Sequence, residues 1–339
     1  MLKGLLFMKE AIKNKTDLFI QNSRTVKSEF IWHHAMTKRL AALLYAQNGR
    51  EIDCDEILRC RNMIKDNTGA FSGFRGNMEL GLAALLSLSE NPIELFSETQ
   101  IVYDILKDLK FRSSDYLAIS AFQIASRTQP SDYSGVANRT RAIYDDMKDR
   151  HFFYTGHDDY IFSAMLGLSD LDISAAAEKI ESIFARLKGE FYSKNSVQSL
   201  AQILVLGDVD DSVMNRVFAL RDAVRKQKIK LDKTYTLPIL GILALVPADI
   251  DEMILEINEI QTYLRAQKGF GSFSVAAEEL LLFATSFVAD EYAKNIENDM
   301  MTAALSTSIA NIIIAEQAAM IAIICASSAS ATAAASAST

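Results

Sequence analysis

The sequence predicts an all-α protein of repeated αα-hairpins, six to seven of them, forming an α/α toroid or an α-solenoid. Three observations lead there. Strongly apolar segments of helical length end at Leu88, Ile124, Leu168, Leu206 and Leu245. They recur about every 40 residues, a period that suits two antiparallel helices with tight connections. A second helical segment follows each one, apolar along a single stripe only. No strand-like alternation bounded by hairpin turns occurs anywhere in the sequence.

Taken in order, residues 1–49 predict an entry helix and then an apolar helix, EFIWHHAMTKRLAALLYAQNG, with Trp32 in the core. His33 and His34 are adjacent, point about 100° apart on a helix and cannot share a metal as a pair. The inner helices follow: LGLAALLSL, YLAISAFQIA, YIFSAMLGL, VQSLAQILVL and LPILGILAL, with a weaker member around Phe287. Each is apolar almost all round and must be buried on most sides. The outer helices are amphipathic. Ile173, Ala177, Ile180, Phe184 and Leu187 advance in steps of four and three, and Ile250, Ile254, Ile257, Ile260 and Leu264 repeat that pattern. Asn91-Pro92, Ser169-Asp170, Gly207-Asp208 and Pro247-Ala248-Asp249 supply N-caps or an N-terminal proline to the outer helices. Lys107, Lys148, Lys188, Arg225 and Arg265 sit near their ends, where the helix dipole favours a cation.

The loops entering the inner helices are the candidate site. FSGFRGNME, FRSSDY, HFFYTGHDDY, FYSKNS, LDKTYTLP and KGFGSFS each place an aromatic and a hydrogen-bonding residue before the same end of an inner helix. Hairpins stacked in register would bring them onto one rim, and binding residues concentrate on loops held by a rigid scaffold. The residues assigned to this rim are Phe74, Arg75, Asn77, Asp115, Tyr116, His157, Asp158, Asp159, Tyr160, Asn195 and Tyr235. A competing reading makes the Ser, Asp and Asn residues helix caps and the aromatics packing between neighbouring repeats.

The segments FSGFRGNMELGLAALLSL, SSDYLA, SVQSLAQILVLGD, YTLPILGILAL and QKGFG, with the Ala-rich end, resemble the bacterial family labelled domain of unknown function 4003. The resemblance runs over nearly the whole chain. It implies no activity that could be carried to any residue.

Two short motifs invite an enzymatic reading. Asp145, Asp146 and Asp149 match DDxxD, which could hold magnesium and a diphosphate. Asp208, Asp210 and Asp211 match DxDD, whose clustered charge could keep one acid protonated. Their positions, on an outer helix and at a helix start, fit a solvated face and a cap.

Composition narrows the rest. The 339 residues are half apolar and carry a net charge of −8. Lysines and arginines look scattered, so nucleic acid is set aside as a partner. Cys54, Cys60 and Cys325 have no paired or zinc-like spacing, which points to a reducing cytoplasm. No cofactor and no metal is assigned.

Residues 1–300 are expected to form one helical-repeat domain, residues 301–325 an apolar helix packed on the stack or used as an oligomer contact, and residues 326–339 a disordered Ala/Ser tail. Glu316 and Gln317 sit mid-way in residues 309–325, where a charge costs about 2.5–3.5 kcal/mol in a bilayer. A membrane is therefore disfavoured. The leading reading is a binding or scaffolding protein for an unknown protein or small-molecule partner, using the loop rim or the concave inner surface. The alternatives are a magnesium-dependent isoprenoid or lipid-type enzyme with a central apolar cavity, and a tail-anchored membrane-associated protein.

Overall fold

In a computed structural model the chain is described over residues 8–294, save 152–153 and 208, together with 314–315. The described residues form fourteen α-helices and no strand. These are α1 (Glu10–Glu29), α2 (Ala35–Gln47), α3 (Cys54–Asn67), α4 (Glu79–Ser87), α5 (Pro92–Asp108), α6 (Asp115–Ala125), α7 (Tyr133–Arg150), α8 (Asp159–Gly167), α9 (Ile173–Leu187), α10 (Lys194–Leu206), α11 (Asp211–Lys226), α12 (Leu237–Leu245), α13 (Ile250–Arg265) and α14 (Ala277–Ala293). Short 3-10 turns lie at Gly73–Arg75, Pro130–Asp132 and Lys230–Asp232.

Even and odd helices differ in burial. Every residue of α8 is buried, and every residue of α12 but Leu245. Odd helices bury one stripe; α9 hides Ala176, Ala177, Ile180, Ile183, Phe184 and Leu187 and leaves Glu178 and Arg186 in water. Burial of this kind is the main favourable contribution to folding, about 25 cal/mol per Å2 of apolar surface. α5 and α13 are capped where the sequence places caps, at Asn91 and Asp249, whereas the caps of α9 and α11, Asp172 and Asp210, fall two residues beyond the expected Asp170 and Asp208. Asp53, Asn91, Asp172, Asp210 and Asp249 each accept the N–H of the residue three further on.

The packing pair is the odd helix with the even helix that follows it, so helices pair across the loops that enter the even helices rather than across the acidic breaks. Even helices also pack on even helices, as in α2 with α4, α6 with α8 and α10 with α12. At the end of the chain α14 reaches back to α1 and α2, and α13 to α1. Phe19 of α1 sets its ring against Phe270, Phe283 and Phe287, with centroids 5.4, 5.0 and 5.7 Å away.

Two arginines, on α7 and α11, make the same kind of contact. Arg139 of α7 donates to the carbonyls of Gly167, Ser169 and Leu171. Arg216 of α11 donates to those of Ala244, Val246 and Ala248. Each guanidinium thereby covers the orphan carbonyls and negative dipole end of the next even helix.

Trp32 departs from expectation. It is 96% exposed, because α2 begins only at Ala35 and the preceding residues form a loop. His34 explains the late start: its Nδ1 accepts the N–H of Met36 and caps the helix. Of the predicted C-terminal helix, Ile314 and Ala315 are helical and buried in the core. The rest of that helix and the Ala/Ser tail lie outside the described residues.

Candidate functional site

The candidate loops are joined one to the next by the residues that open the even helices. Asp115, first residue of α6, accepts the N–H groups of Asn77 (3.2 Å) and Met78 (3.4 Å) in the preceding loop. This close approach accounts for two glycines. A methyl on Gly73 would strike the Ser114 backbone, and one on Gly76 would overlap the Asp115 carboxylate. Burial lifts the Asp115 carboxyl above its ordinary pKa, against the two N–H groups that favour its charged form. Phe74 is buried against Phe96 and Tyr103 at 5.6 and 4.6 Å. Half-buried Arg75 donates to the Thr68 carbonyl. Tyr116 is half-buried against the core.

The next connection is aromatic. Tyr160 of α8 is buried, its ring 4.8 Å from Phe111 and 5.0 Å from Tyr144, and its hydroxyl accepts the N–H of Arg112. His157 stacks at 5.2 Å from Tyr160, and burial lowers its pKa. The third connection is polar. Asn195 of α10 donates to Asp158 at 3.0 Å. Asp159, only 1% exposed, accepts the Gly156 N–H and the side-chain amides of Gln198 and Gln202. Burial first, then the charge of Asp158, raises its pKa. The carbonyl oxygens of Gln198 and Gln202 are buried without a partner. Tyr235 packs half-buried on the core before α12.

Of the eleven assigned residues only Asn77 is exposed; the others hold neighbouring loops and helices together. Exposure falls on other residues of the same kind of loop. Trp32, Phe71, Tyr192 and Phe273 are 96, 101, 93 and 108% exposed, and Tyr154 is 41% exposed. Each lies between an odd helix and the following even one. Among the described residues, no aromatic side chain elsewhere is a large exposed hydrophobic. Phe71, Tyr154, Tyr192 and Phe273 fall inside segments the sequence singled out. Trp32 belongs to a seventh loop that the sequence hid inside an apparent helix.

A cavity of about 490 Å3 opens where α1, α2 and the loop before α14 meet. Arg24, Lys27, Lys38, Arg39 and Lys268 line it, cations that look scattered in the sequence because they come from three segments.

The acidic motifs are engaged elsewhere. Asp145 and Asp146 pair with Arg141 and Arg150, four residues away on α7. Asp210 caps α11, Asp211 meets Arg186 at 3.0 Å, and Asp208 lies outside the described residues. Among the described residues no group of three or more His, Cys, Asp or Glu is arranged for a metal ion. Burial pushes the free thiols of Cys54 and Cys60 up to about 11 and about 12, which leaves no thiolate at neutral pH. Among the described residues no helix is long and apolar enough to cross a membrane.

The chain is similar to a Bacillus subtilis (strain 168) protein described as uncharacterized protein YeaA. The two are 24% identical over 327 residues, covering 94% of this chain and 96% of that relative. No solved structure matches. Over residues 22–318 the chain matches the family described as protein of unknown function (DUF4003), and it belongs to that family.

Proposed function

We propose that the protein is a binding or scaffolding module, a closed α/α toroid of seven hairpins that presents a crown of aromatic side chains at one end and docks a partner protein there. The toroid reading is supported by the return of α13 and α14 to α1 and α2, and by the matching arginine clamps at Arg139 and Arg216. Residues 1–300 would form this single domain, with Ile314 and Ala315 belonging to a closing helix. Unpaired thiols at Cys54 and Cys60 suit a cytoplasmic setting.

One observation carries the docking role: among the described residues, the exposed aromatics are confined to the loops that enter the even helices. Scattered exposed apolar residues are normal on a protein surface. Aromatics held in water at one end are not, and Trp, Tyr and Phe are enriched at binding interfaces. The assigned polar residues, Asp115, Asp158 and Asn195 among them, brace the loops that carry the crown. The rim and not a reaction centre would then be the working surface.

The chain contains one tryptophan, and it stands in this crown. Its emission should be that of a water-exposed indole and should shift to the blue when a partner docks. A photo-crosslinker at Phe273 should capture that partner, whereas one at Ile93, 73% exposed at the start of α5, should not. The triple variant Phe71→Ala, Tyr192→Ala, Phe273→Ala should keep the melting temperature and lose the crosslink to Trp32-proximal positions. Equal capture at Ile93, or a triple variant that binds as the parent does, would defeat the proposal.

A further inference from the structure

The cavity between α1, α2 and the loop before α14 gathers positive charge that the described residues leave largely unanswered. It is lined by Arg24 and Lys27 of α1, Lys38 and Arg39 of α2, and Lys268 of the loop before α14, with no Asp or Glu among the described residues of its wall. Of these five, only Arg39 has a carboxylate partner among the described residues: it grips Glu279 through two hydrogen bonds of 2.8 Å. Arg24 reaches the neutral amide of Gln267 at 3.5 Å. Among the described residues, Lys27, Lys38 and Lys268 have no ion pair. In a chain of net charge −8, such a cluster is not a by-product of composition.

Like charges brought together around a partly closed space repel one another more than they would in bulk water. Lys38 registers this: burial, then the charges of Lys27 and Arg39, lower its pKa. Two further features face the same way. The Ser23 hydroxyl, in the cavity wall, is buried with no partner. Ala35, also in the wall, is the first residue of α2, so the positive end of that helix dipole opens here. A singly charged carboxylate would leave most of this charge unmatched. A multiply charged, oxygen-rich anion would match it, and a volume of about 490 Å3 admits a small organic molecule attached to that anion.

We propose that this cavity binds the phosphate groups of an organic phosphate. Arg24, Lys27, Lys38 and Lys268 contact its oxygens, and Glu279 fixes the Arg39 guanidinium at the cavity wall. Because the cations come from α1, α2 and the loop between α13 and α14, occupancy ties the first hairpin to the α13–α14 hairpin. The proposal stands apart from the crown reading: anion binding needs none of Phe71, Tyr192 or Phe273.

The test uses the full chain and inorganic pyrophosphate as probe, measured by calorimetry and by melting temperature against chloride of matched ionic strength. Saturable binding and a higher melting temperature are expected. Lys38→Gln and Lys268→Gln should each weaken binding by about ten-fold or more, whereas Lys188→Gln, just after α9, should bind as the parent does. No heat of binding to the parent chain overturns the proposal without recourse to any variant. So does binding that survives Lys38→Gln with Lys268→Gln. Sedimentation with phosphatidic acid vesicles but not phosphatidylcholine vesicles, competed by pyrophosphate, would assign the phosphate to a lipid headgroup. Pyrophosphate binding without sedimentation would assign it to a soluble ester, and sedimentation unchanged in the double variant would remove the cavity from the lipid interaction.

Discussion

The joint between α8 and α10 and the joint where α14 returns to α1 and α2 solve the same packing problem by different means. At the first, neutral amides and one buried acid do the joining: Gln198 and Gln202 reach Asp159, and Asn195 reaches Asp158. At the second, charged partners meet across the ends of the chain: Lys9 with Glu252, Lys15 with Asp290, and Arg39 with Glu279. Tyr263 also donates to Asp17. Consecutive hairpins are tethered by a short loop, so their contact costs little closure entropy. Residues some hundreds apart in sequence lose more on meeting. Specific charge pairs at the far joint fix which partner is met and in what register. That joint also encloses the cation-lined cavity.

The sharpest test of this contrast compares one deletion at each end. Arg39→Ala strands Glu279, 1% exposed, as an unpaired buried charge and should cost about 3–5 kcal/mol in urea unfolding. Tyr160→Ala removes a buried ring from three neighbours and should cost a similar amount, about 3–5 kcal/mol. The two should part on rescue. Replacing Arg39 and Glu279 together by apolar residues should restore most of the loss, while Tyr160→Ala should recover only when the ring volume is returned. A loss below about 1 kcal/mol for Arg39→Ala would place the end joint's stability in the Phe19 cluster instead.

A smaller effect tests whether distant hairpins are equivalent. Arg139→Ala and Arg216→Ala each release three carbonyls and should each cost about 1–3 kcal/mol. Unequal costs would break the correspondence. Next comes a dependence on pH. Burial, reinforced by Asp158, raises the Asp159 carboxyl, so the folded chain holds that proton more tightly than the unfolded chain does. The resulting stability is present below the unfolded value, near about pH 4, and is lost as pH climbs through the folded one. Asp159→Asn should flatten this decline in melting temperature between mildly acidic pH and neutrality. A decline as steep as the parent's would assign it to another group. Smallest of all, Asp145→Ala breaks only a half-exposed pair with Arg141 and should shift stability by about 0–1 kcal/mol.

Much of the helical layout is legible in the sequence because apolar periodicity and caps report local structure. Helix α9 begins at Ile173 and α13 at Ile250, where the stripes begin. What escapes is decided by distant contacts or fine turn geometry. Phe71 and Phe74 stand three residues apart in one loop, yet a single 3-10 turn buries the second and leaves the first in water. Trp32 reads as the start of an apolar helix until the His34 cap stops the helix short of it. The five cavity cations come from α1, α2 and the loop before α14. No local pattern links them. Only the return of α14 gathers them.

Lys9, just before α1, lays its ammonium 3.6 Å from the ring centre of Tyr292, near the end of α14. The start of α1 and the end of α14 therefore lie side by side, and the order in which these helices are written is not dictated by their mutual contacts. A circular permutant of the full chain, its two termini joined by a flexible linker and the chain reopened at Gly189, where even an added methyl would meet nothing within 4 Å, should fold to the same arrangement. Such a chain would carry its cation cavity in the middle of the polypeptide, with both of its walls on one continuous stretch.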